Sequence, residues 1–253
     1  MKRTAFLLLA FATLTAFAGC AGKNETALMN ETFDKANMWF TKGRYQSSRD
    51  LYTKIIEEEP DSPFRIHVLL AEADTYFMGK EFDLSAPLYR RFRELYPLDP
   101  LTPRALFYEG MSYFWDIQEV GRDQTTAKEA LEIFQSFSKK YPDHFAASFS
   151  KRKVVDIKDR LAEKIFMLAG FYYRIDEFGS SIGRVNELLK KYPDTRFRAE
   201  ALLFKGRSYL AEEAFQKSRG IFMEIIKEHP DTDAAKNART ELANLNTRFA
   251  GGK

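Results

Sequence analysis

The chain repeats one pattern of apolar, small and proline residues five times. Each copy ends at a proline, and four of the five are followed directly by aspartate: Pro60, Pro97, Pro142, Pro193 and Pro230. Twelve residues before each proline stands a small residue, namely Ser48, Ser85, Ala130, Ser181 and Ser218. Apolar residues stand eight and five positions before each proline. These spacings of three and four residues predict one face of a helix, which ends at the proline because proline has no backbone N–H to continue the helix.

A second short pattern precedes each of these helices. A small residue stands three positions before an aromatic residue in Ala36/Trp39, Ala73/Tyr76, Gly110/Tyr113, Ala169/Tyr172 and Gly206/Tyr209. Small residues let two helices approach closely, and we expect the aromatic residues to fill the gap between them. Each copy therefore predicts a pair of antiparallel helices and is similar to the tetratricopeptide repeat (TPR).

The predicted fold class is all-α, a right-handed superhelical solenoid of five TPR-like helix pairs plus a C-terminal capping helix. The solenoid is assigned to residues 29–249. Its units lie at about 29–61, 62–98, 99–143, 144–194 and 195–231, followed by the capping helix at 232–249.

Three local features modify this regular pattern. The stretch 115–124 of the third unit predicts a long loop between helices. In the fourth unit an apolar stripe predicts one long first helix, with Val154, Ile157, Leu161, Ile165, Leu168 and Tyr172 on one face. We expect Pro87 in the first turn of its helix, with Asp83 or Ser85 as the cap.

The N-terminus predicts an export signal and a lipid anchor. Lys2 and Arg3 precede an uncharged run that is too short to span a membrane, so residues 1–19 are interpreted as a signal peptide. Phe17 to Cys20 resembles the bacterial lipobox, which predicts acylation of Cys20 and a lipidated tether at 20–28. By the same resemblance, Ala21 favours the periplasmic face of the outer membrane of a Gram-negative bacterium. The alternative is an ordinary secreted protein whose cysteine falls there by chance.

Charge and motif content exclude several functional classes. Lys and Arg number 39 and Asp and Glu 36, so the net charge of +3 gives no reason to expect a nucleic-acid partner. Cys20 is the one cysteine, so no internal disulfide forms. Without a catalytic or metal-binding motif, we expect no enzyme activity, no catalytic residue, no metal and no cofactor beyond the covalent lipid on Cys20. The run 151–153 is interpreted as a solvated face.

Aromatic residues on the first helix of each unit are candidates for a peptide-binding groove. The inner wall of a TPR stack is usually lined by these helices, and the pattern places Phe33, Phe40, Phe77, Phe107 and Phe114 on it. Such a wall can bind the aromatic side chains of an extended peptide. The equally weighted alternative is that these residues belong to the core between the helices.

Several runs resemble the family of outer-membrane protein assembly factors called BamD, also known as competence lipoproteins. The resemblance is carried by the lipobox, the five TPR units and four runs: Lys158-Asp159-Arg160-Leu161-Ala162, Phe171-Tyr172-Tyr173, Arg184-Val185 and Tyr192-Pro193-Asp194-Thr195. It implies a periplasmic scaffold of the β-barrel assembly machine.

The resemblance also implies partners. The C-terminal units would bind the POTRA domain of the barrel subunit BamA through Arg184, Arg160 and Asp159, alongside other lipoproteins of the machine. The N-terminal units would recognise C-terminal segments of unfolded outer-membrane proteins. The alternative is that Arg184 is an ordinary charged surface residue with no role in binding.

Two other functional classes remain possible at this point. One is a TPR lipoprotein adaptor for pilus or secretin assembly, or for envelope constriction, against which the long fourth-unit helix argues. The other is an envelope hydrolase, for which no catalytic constellation is present in the sequence.

Overall fold

The computed structural model describes residues 30–58, 62, 64–120 and 122–250, which form two compact units. The N-terminal unit ends at Asp116 and the C-terminal unit begins at Ile117. The predicted signal peptide, Cys20, the tether and Pro60 lie outside the described residues, so these predictions stay open.

Every regular element among the described residues is an α-helix. The N-terminal unit contains α1 (30–41), α2 (Tyr45–Glu58), α3 (Arg65–Met78), α4 (Phe82–Leu95) and α5 (Thr102–Trp115). The C-terminal unit contains α6 (Thr125–Lys140), α7 (Ala147–Arg174), α8 (Phe178–Lys191), α9 (Arg198–Ala211), α10 (Phe215–Glu228) and α11 (Asp233–Ala250). The all-α class and the TPR-like succession of helices are confirmed.

The repeated columns of the sequence form the core of each unit. The apolar residues that precede each proline by eight and five positions are all buried: Tyr52, Ile55, Tyr89, Phe92, Phe134, Phe137, Val185, Leu188, Phe222 and Ile225. The small residues of the first helices are buried as well. Packing of these columns therefore holds together the helix pairs that lie within one compact unit.

Three of the small serines also join the two helices of a pair by a hydrogen bond. Ser48 Oγ donates to the Ala36 carbonyl at 2.9 Å, Ser181 Oγ to Ala169 at 2.9 Å and Ser218 Oγ to Gly206 at 2.8 Å. Each buried hydroxyl is thereby satisfied by the neighbouring helix. The sequence predicted small size at this position but not this bond.

Two predictions about α4 and the aromatic column are wrong. The Ser85 N–H donates to the Glu81 carbonyl, so α4 begins at Phe82 and Pro87 lies in its second turn. The aromatic residues that end the first helix of each pair are half-buried instead of filling the gap. A cation covers the ring in several pairs, with Arg44 4.6 Å from Trp39 and Arg49 4.2 Å from Tyr76.

The two predicted irregularities of the middle repeats are present. Helix α7 is 28 residues long, although Leu168 of the predicted stripe is exposed on its surface. Residues 116–124 connect α5 to α6, so Trp115 ends a helix and is not part of the loop. The last helix, α11, is capped by Thr232, whose Oγ1 accepts a hydrogen bond from the Ala235 N–H. Its small and apolar side chains cover the end of the C-terminal core, as a solenoid end requires.

Candidate functional site

The predicted groove residues of the N-terminal unit are neither fully buried nor open. Phe33, Phe40, Phe77, Phe107 and Phe114 are all half-buried, so neither alternative from the sequence is excluded. Leu70 and Leu203, which the repeat places at equivalent positions, lie instead in the core with 2% and 8% of their surface exposed. The groove therefore stays a prediction for the five phenylalanines.

Aromatic rings pack around Phe77 on α3. Its ring makes edge contacts with Tyr108 at 5.1 Å and Phe82 at 5.5 Å, measured between ring centres. Phe33 stacks on Phe64 at 5.3 Å. Phe114 lies at 5.5 Å from Trp115, which is 57% exposed. Phe77 therefore contributes to packing within the unit, and Phe114 lies next to an exposed ring at which peptide binding can be tested.

Polar groups among these aromatic residues are linked to the packing. The Tyr52 hydroxyl donates to Asn37 Oδ1 at 2.7 Å, and one repeat later the Tyr89 hydroxyl donates to Asp74 Oδ1 at 2.6 Å. Arg104 Nη2 donates to the other Asp74 oxygen at 2.6 Å and keeps 41% of its side chain exposed. A fixed, partly exposed guanidinium beside aromatic rings is suited to hold a carboxylate.

The pKa of Asp74 is shifted by its burial. Burial raises the pKa of the Asp74 carboxyl, against the opposing effect of Arg104 and Tyr89. A raised folded-state pKa means that this group favours folding most at a pH below its unfolded pKa. That contribution is lost as the pH rises through the folded pKa.

A second charged cluster in this unit was not predicted from the sequence. Glu109 on α5 is fully buried and accepts hydrogen bonds from Arg90 Nε at 2.9 Å and Arg93 Nε at 2.7 Å, both on α4. Arg90 Nη2 also donates to the Tyr113 hydroxyl at 2.9 Å. The cluster joins two helices, so its role is structural.

In the C-terminal unit, Arg184 projects from α8 as an accessible cation. Its side chain is 42% exposed, and Nη1 donates to Glu187 Oε2 at 2.9 Å. Lys191 and Arg184 both donate to Glu187 and lower the pKa of its carboxyl, with Lys191 as the larger cause. The pKa of the Arg184 guanidinium is raised, mainly by its hydrogen bond to Glu187 and to a lesser extent by the Tyr172 hydroxyl on α7. A guanidinium has five N–H donors, so Arg184 retains donors for a partner.

Asp159 on α7 is committed to an internal contact. One of its oxygens accepts hydrogen bonds from the Thr195 hydroxyl at 2.7 Å and from the Arg196 N–H at 3.0 Å. These bonds fix the connection between α8 and α9 against the middle of α7. In the structure, Asp159 therefore orders the fold, and its predicted contact with a partner is untested.

Arg160 faces a different part of the surface. It is exposed and, with Glu163, lines a cavity of about 370 Å³ whose other wall is the segment 117–120. Lys164 Nζ donates to the Arg122 carbonyl at 2.9 Å, which holds the loop against α7. The third-unit loop is therefore ordered by α7.

The structure does not bring the three predicted partner residues together. Asp159 and Arg160 are adjacent on α7, so their side chains diverge by about 100° around the helix. Tyr172, which contributes to the raised pKa of Arg184, lies twelve residues beyond Arg160 on α7, a rise of about 18 Å along the helix axis.

Two other kinds of site are absent from the described residues. Within the described part of the chain, no three His, Cys, Asp or Glu side chains are placed to hold a metal ion. None of the described helices has the length and apolar character needed to cross a membrane.

Comparison with known proteins identifies the family. The family model described as YfiO, outer membrane lipoprotein, matches residues 25–220. The chain belongs to the YfiO family of outer membrane lipoproteins. The match extends over most of both units.

Curated relatives of this YfiO chain are named outer membrane protein assembly factor BamD. The protein of Caulobacter vibrioides is 25% identical over 82% of this chain and 70% of its own length. That of Rickettsia prowazekii is 23% identical over 83% of this chain and 85% of its own. The protein of Vibrio cholerae is 23% identical over 86% of this chain and 87% of its own length.

Two TPR proteins are among the solved structures to which this chain is similar. The TPR2AB domain of yeast Sti1 in complex with an Hsp90 peptide has a TM-score of 0.44 and 12% identity, covering 89% of this chain and 87% of its own. A TPR protein from Parabacteroides merdae has a TM-score of 0.38 and 14% identity, covering 88% and 75%.

Proposed function

We propose that this YfiO-family chain is an outer membrane protein assembly factor of the BamD type. It is a scaffold and not an enzyme, held by a lipid on Cys20 at the periplasmic face of the outer membrane of a Gram-negative bacterium. The match of the family model over residues 25–220, together with relatives that are assembly factors, carries this proposal.

The proposed contact with the assembly machine lies on the C-terminal unit. Arg184 binds a carboxylate on the POTRA domain of a BamA-type barrel subunit, and other lipoproteins of the machine join the same complex. An exposed guanidinium that is already oriented by Glu187 supports this role, because little side-chain entropy is lost on binding.

The proposed substrate contact lies on the N-terminal unit. The half-buried phenylalanines receive aromatic side chains of unfolded outer-membrane proteins, and Arg104 receives the terminal carboxylate. Support comes from the exposed fraction of Arg104 and from its fixed bond to Asp74.

A pull-down from the native envelope tests the function. A C-terminal tag and gentle detergent should co-purify a subunit with POTRA repeats and a membrane barrel. Recovery of a secretin or of a peptidoglycan-associated complex instead would assign the chain to the adaptor class and reject the proposal.

Reversing the charge of Arg184 should weaken this co-purification. We expect Arg184→Glu to reduce recovery of the barrel subunit about tenfold, because a carboxylate then faces a carboxylate. The matched control is Lys190→Glu, an exposed charge reversal on the same helix. Equal recovery with both variants, at unchanged helical circular dichroism, would exclude Arg184 from the contact.

Removing one groove ring should weaken substrate capture. Phe114→Ala is expected to lower photo-crosslinking to an aromatic-ended barrel peptide about fivefold, the effect of losing roughly 1 kcal/mol of ring contact. Trp115→Ala is the control, because Trp115 is the next residue on α5 and more exposed. If only the Trp115 variant loses crosslinking, the groove assignment is wrong.

A further inference from the structure

A basic tip lies at the junction of α6 and α7 in the C-terminal unit. We define the basic tip as residues 139–158, which contain six Lys or Arg and two Asp. Its net charge of +4 (6 − 2) exceeds the +3 of the whole chain, so the remainder is slightly negative. The segment is therefore more basic than the rest of the chain taken together.

An apolar ring protrudes from the middle of the basic tip. Phe145, in the turn before α7, is 89% exposed, and its ring contacts that of the preceding His144 at 4.4 Å. The turn itself is anchored, since the ring of buried Phe137 meets His144 at 5.3 Å. The phenylalanine is thus held outward by a rigid turn, at a large hydrophobic cost in water.

Exposed cations follow this ring in the chain, on the first turns of α7. Lys151 and Arg152 are exposed and form no salt bridge with another described residue, and Val155, on the same face, is 56% exposed. Arg152 lies over the Phe149 ring at 5.6 Å, which leaves its charge available. Lys153 is the member neutralised within the helix, by Asp156 at 3.3 Å.

The first turns of α7 extend beyond its packing with the following helices. The connection between α8 and α9 meets α7 at Asp159, and the cavity beside that contact is bounded by Val155 and Lys158. Residues 147–153 precede this contact, so their outward face is open.

We propose that the basic tip docks onto a membrane surface that carries anionic lipid headgroups. An exposed aromatic ring flanked by lysine and arginine fits the headgroup region of a bilayer, where the ring enters the interface and the cations remain at the phosphates. A protruding phenylalanine can enter a deformable bilayer, whereas a protein partner would need a cavity shaped for Phe145. The proposal rests on the proposed function only in that the lipid anchor brings the chain to a membrane.

This inference replaces the solvated-face interpretation of residues 151–153. The sequence showed the cations, but the exposure of Phe145 and the open face of α7 come from the structure. The inference rests on the combination of an 89% exposed phenylalanine with exposed cations, and not on either feature alone.

Vesicle flotation tests the proposal directly. The probe protein is the mature chain from residue 20 with Cys20→Ser, so that no lipid anchor contributes to binding. It should bind phosphatidylcholine vesicles that contain phosphatidylglycerol, bind vesicles of phosphatidylcholine alone far less, and be released as salt screens the cations.

Variants separate the basic tip from general surface charge. At about 1 kcal/mol for each cation near the membrane, Lys151→Ala with Arg152→Ala should weaken binding roughly thirtyfold. Phe145→Ala should weaken it about tenfold. The control is Lys227→Ala with Lys236→Ala, two exposed cations of α10 and α11 whose removal gives the same net charge.

Several results would overturn the basic tip as a membrane contact. These are absence of binding to the anionic vesicles, equal binding to neutral ones, or an equal loss in the control variant. Absence of vesicle binding together with loss of an acidic protein from the pull-down of the tip variant would assign the surface to that protein. The pull-down of the unaltered chain reports the assembly function separately, so the two proposals can fail independently.

Discussion

Glu109→Gln should lower the free energy of unfolding of the N-terminal unit by about 3 kcal/mol. The wild-type carboxylate, 1% exposed, is shared by Arg90 and Arg93. Glutamine keeps the shape but presents one oxygen acceptor and one NH₂ donor. One guanidinium then faces a donor and loses its counter-charge. The effect stays at the low end of that expected for a broken buried pair, because Arg90 and Arg93 are 40% and 28% exposed and keep some contact with water.

Urea denaturation followed by circular dichroism measures this loss. Glu94→Gln is the matched control, an exposed glutamate on α4, and should change the free energy by less than about 0.5 kcal/mol. Replacing Glu109, Arg90 and Arg93 together by leucine and methionine should recover most of the stability, since the buried carboxylate is then removed together with both arginines that bind it. If the glutamine variant matches the control, the cluster does not stabilise the unit.

The repeat predicted the core well because its columns depend on packing alone. A residue that must fit between two helices keeps its size class in every copy, as Ser48, Ser181 and Ser218 do. The prediction for the aromatic column was wrong because an aromatic side chain can either enter the core or lie at the surface against a cation. Tyr76 is large and apolar enough for the core, yet it also serves as a surface for the Arg49 cation, and the pattern could not distinguish these roles.

Charged contacts were harder to predict because they depend on which helices meet. Glu72 and Glu109 stand one position before the small residue in the second and third copies, and this recurrence was the available signal. Their partners differ: Glu72 accepts from Thr53, and Glu109 from two arginines. Similarly, Asp159 and Arg160 share a sequence run that predicts a shared role. On a helix, neighbouring side chains face different directions, and Asp159 bonds the start of the next repeat.

Helices α9 and α10 of the C-terminal unit approach each other closely, and substitutions at this contact are expected to have large effects on stability. A methyl group on Gly206 of α9 would lie 2.5 Å from Cε1 of Phe222 on α10. Phe222 is fully buried among Ile225, Ala235 and other core residues, so its ring has little room to move. Phe222→Ala should therefore cost about 3–5 kcal/mol through the cavity it leaves.

The sign of Gly206→Ala should depend on whether the phenylalanine is present. With Phe222 in place, the added methyl forces the ring to shift and costs about 1–3 kcal/mol, partly offset by roughly 1 kcal/mol of gained helix propensity. In the Phe222→Ala background the clash is gone and the methyl enters the vacated space. There the same substitution should stabilise the protein.

A double-mutant cycle by thermal and urea unfolding measures this reversal. Gly220→Ala is the control, because open space surrounds that position on α10 and only the helix-propensity gain applies. Additive effects in the cycle would mean that α9 and α10 separate at low cost. In that case the small-residue column would not fix the helix spacing, and the packing argument for every repeat of this chain would fail with it.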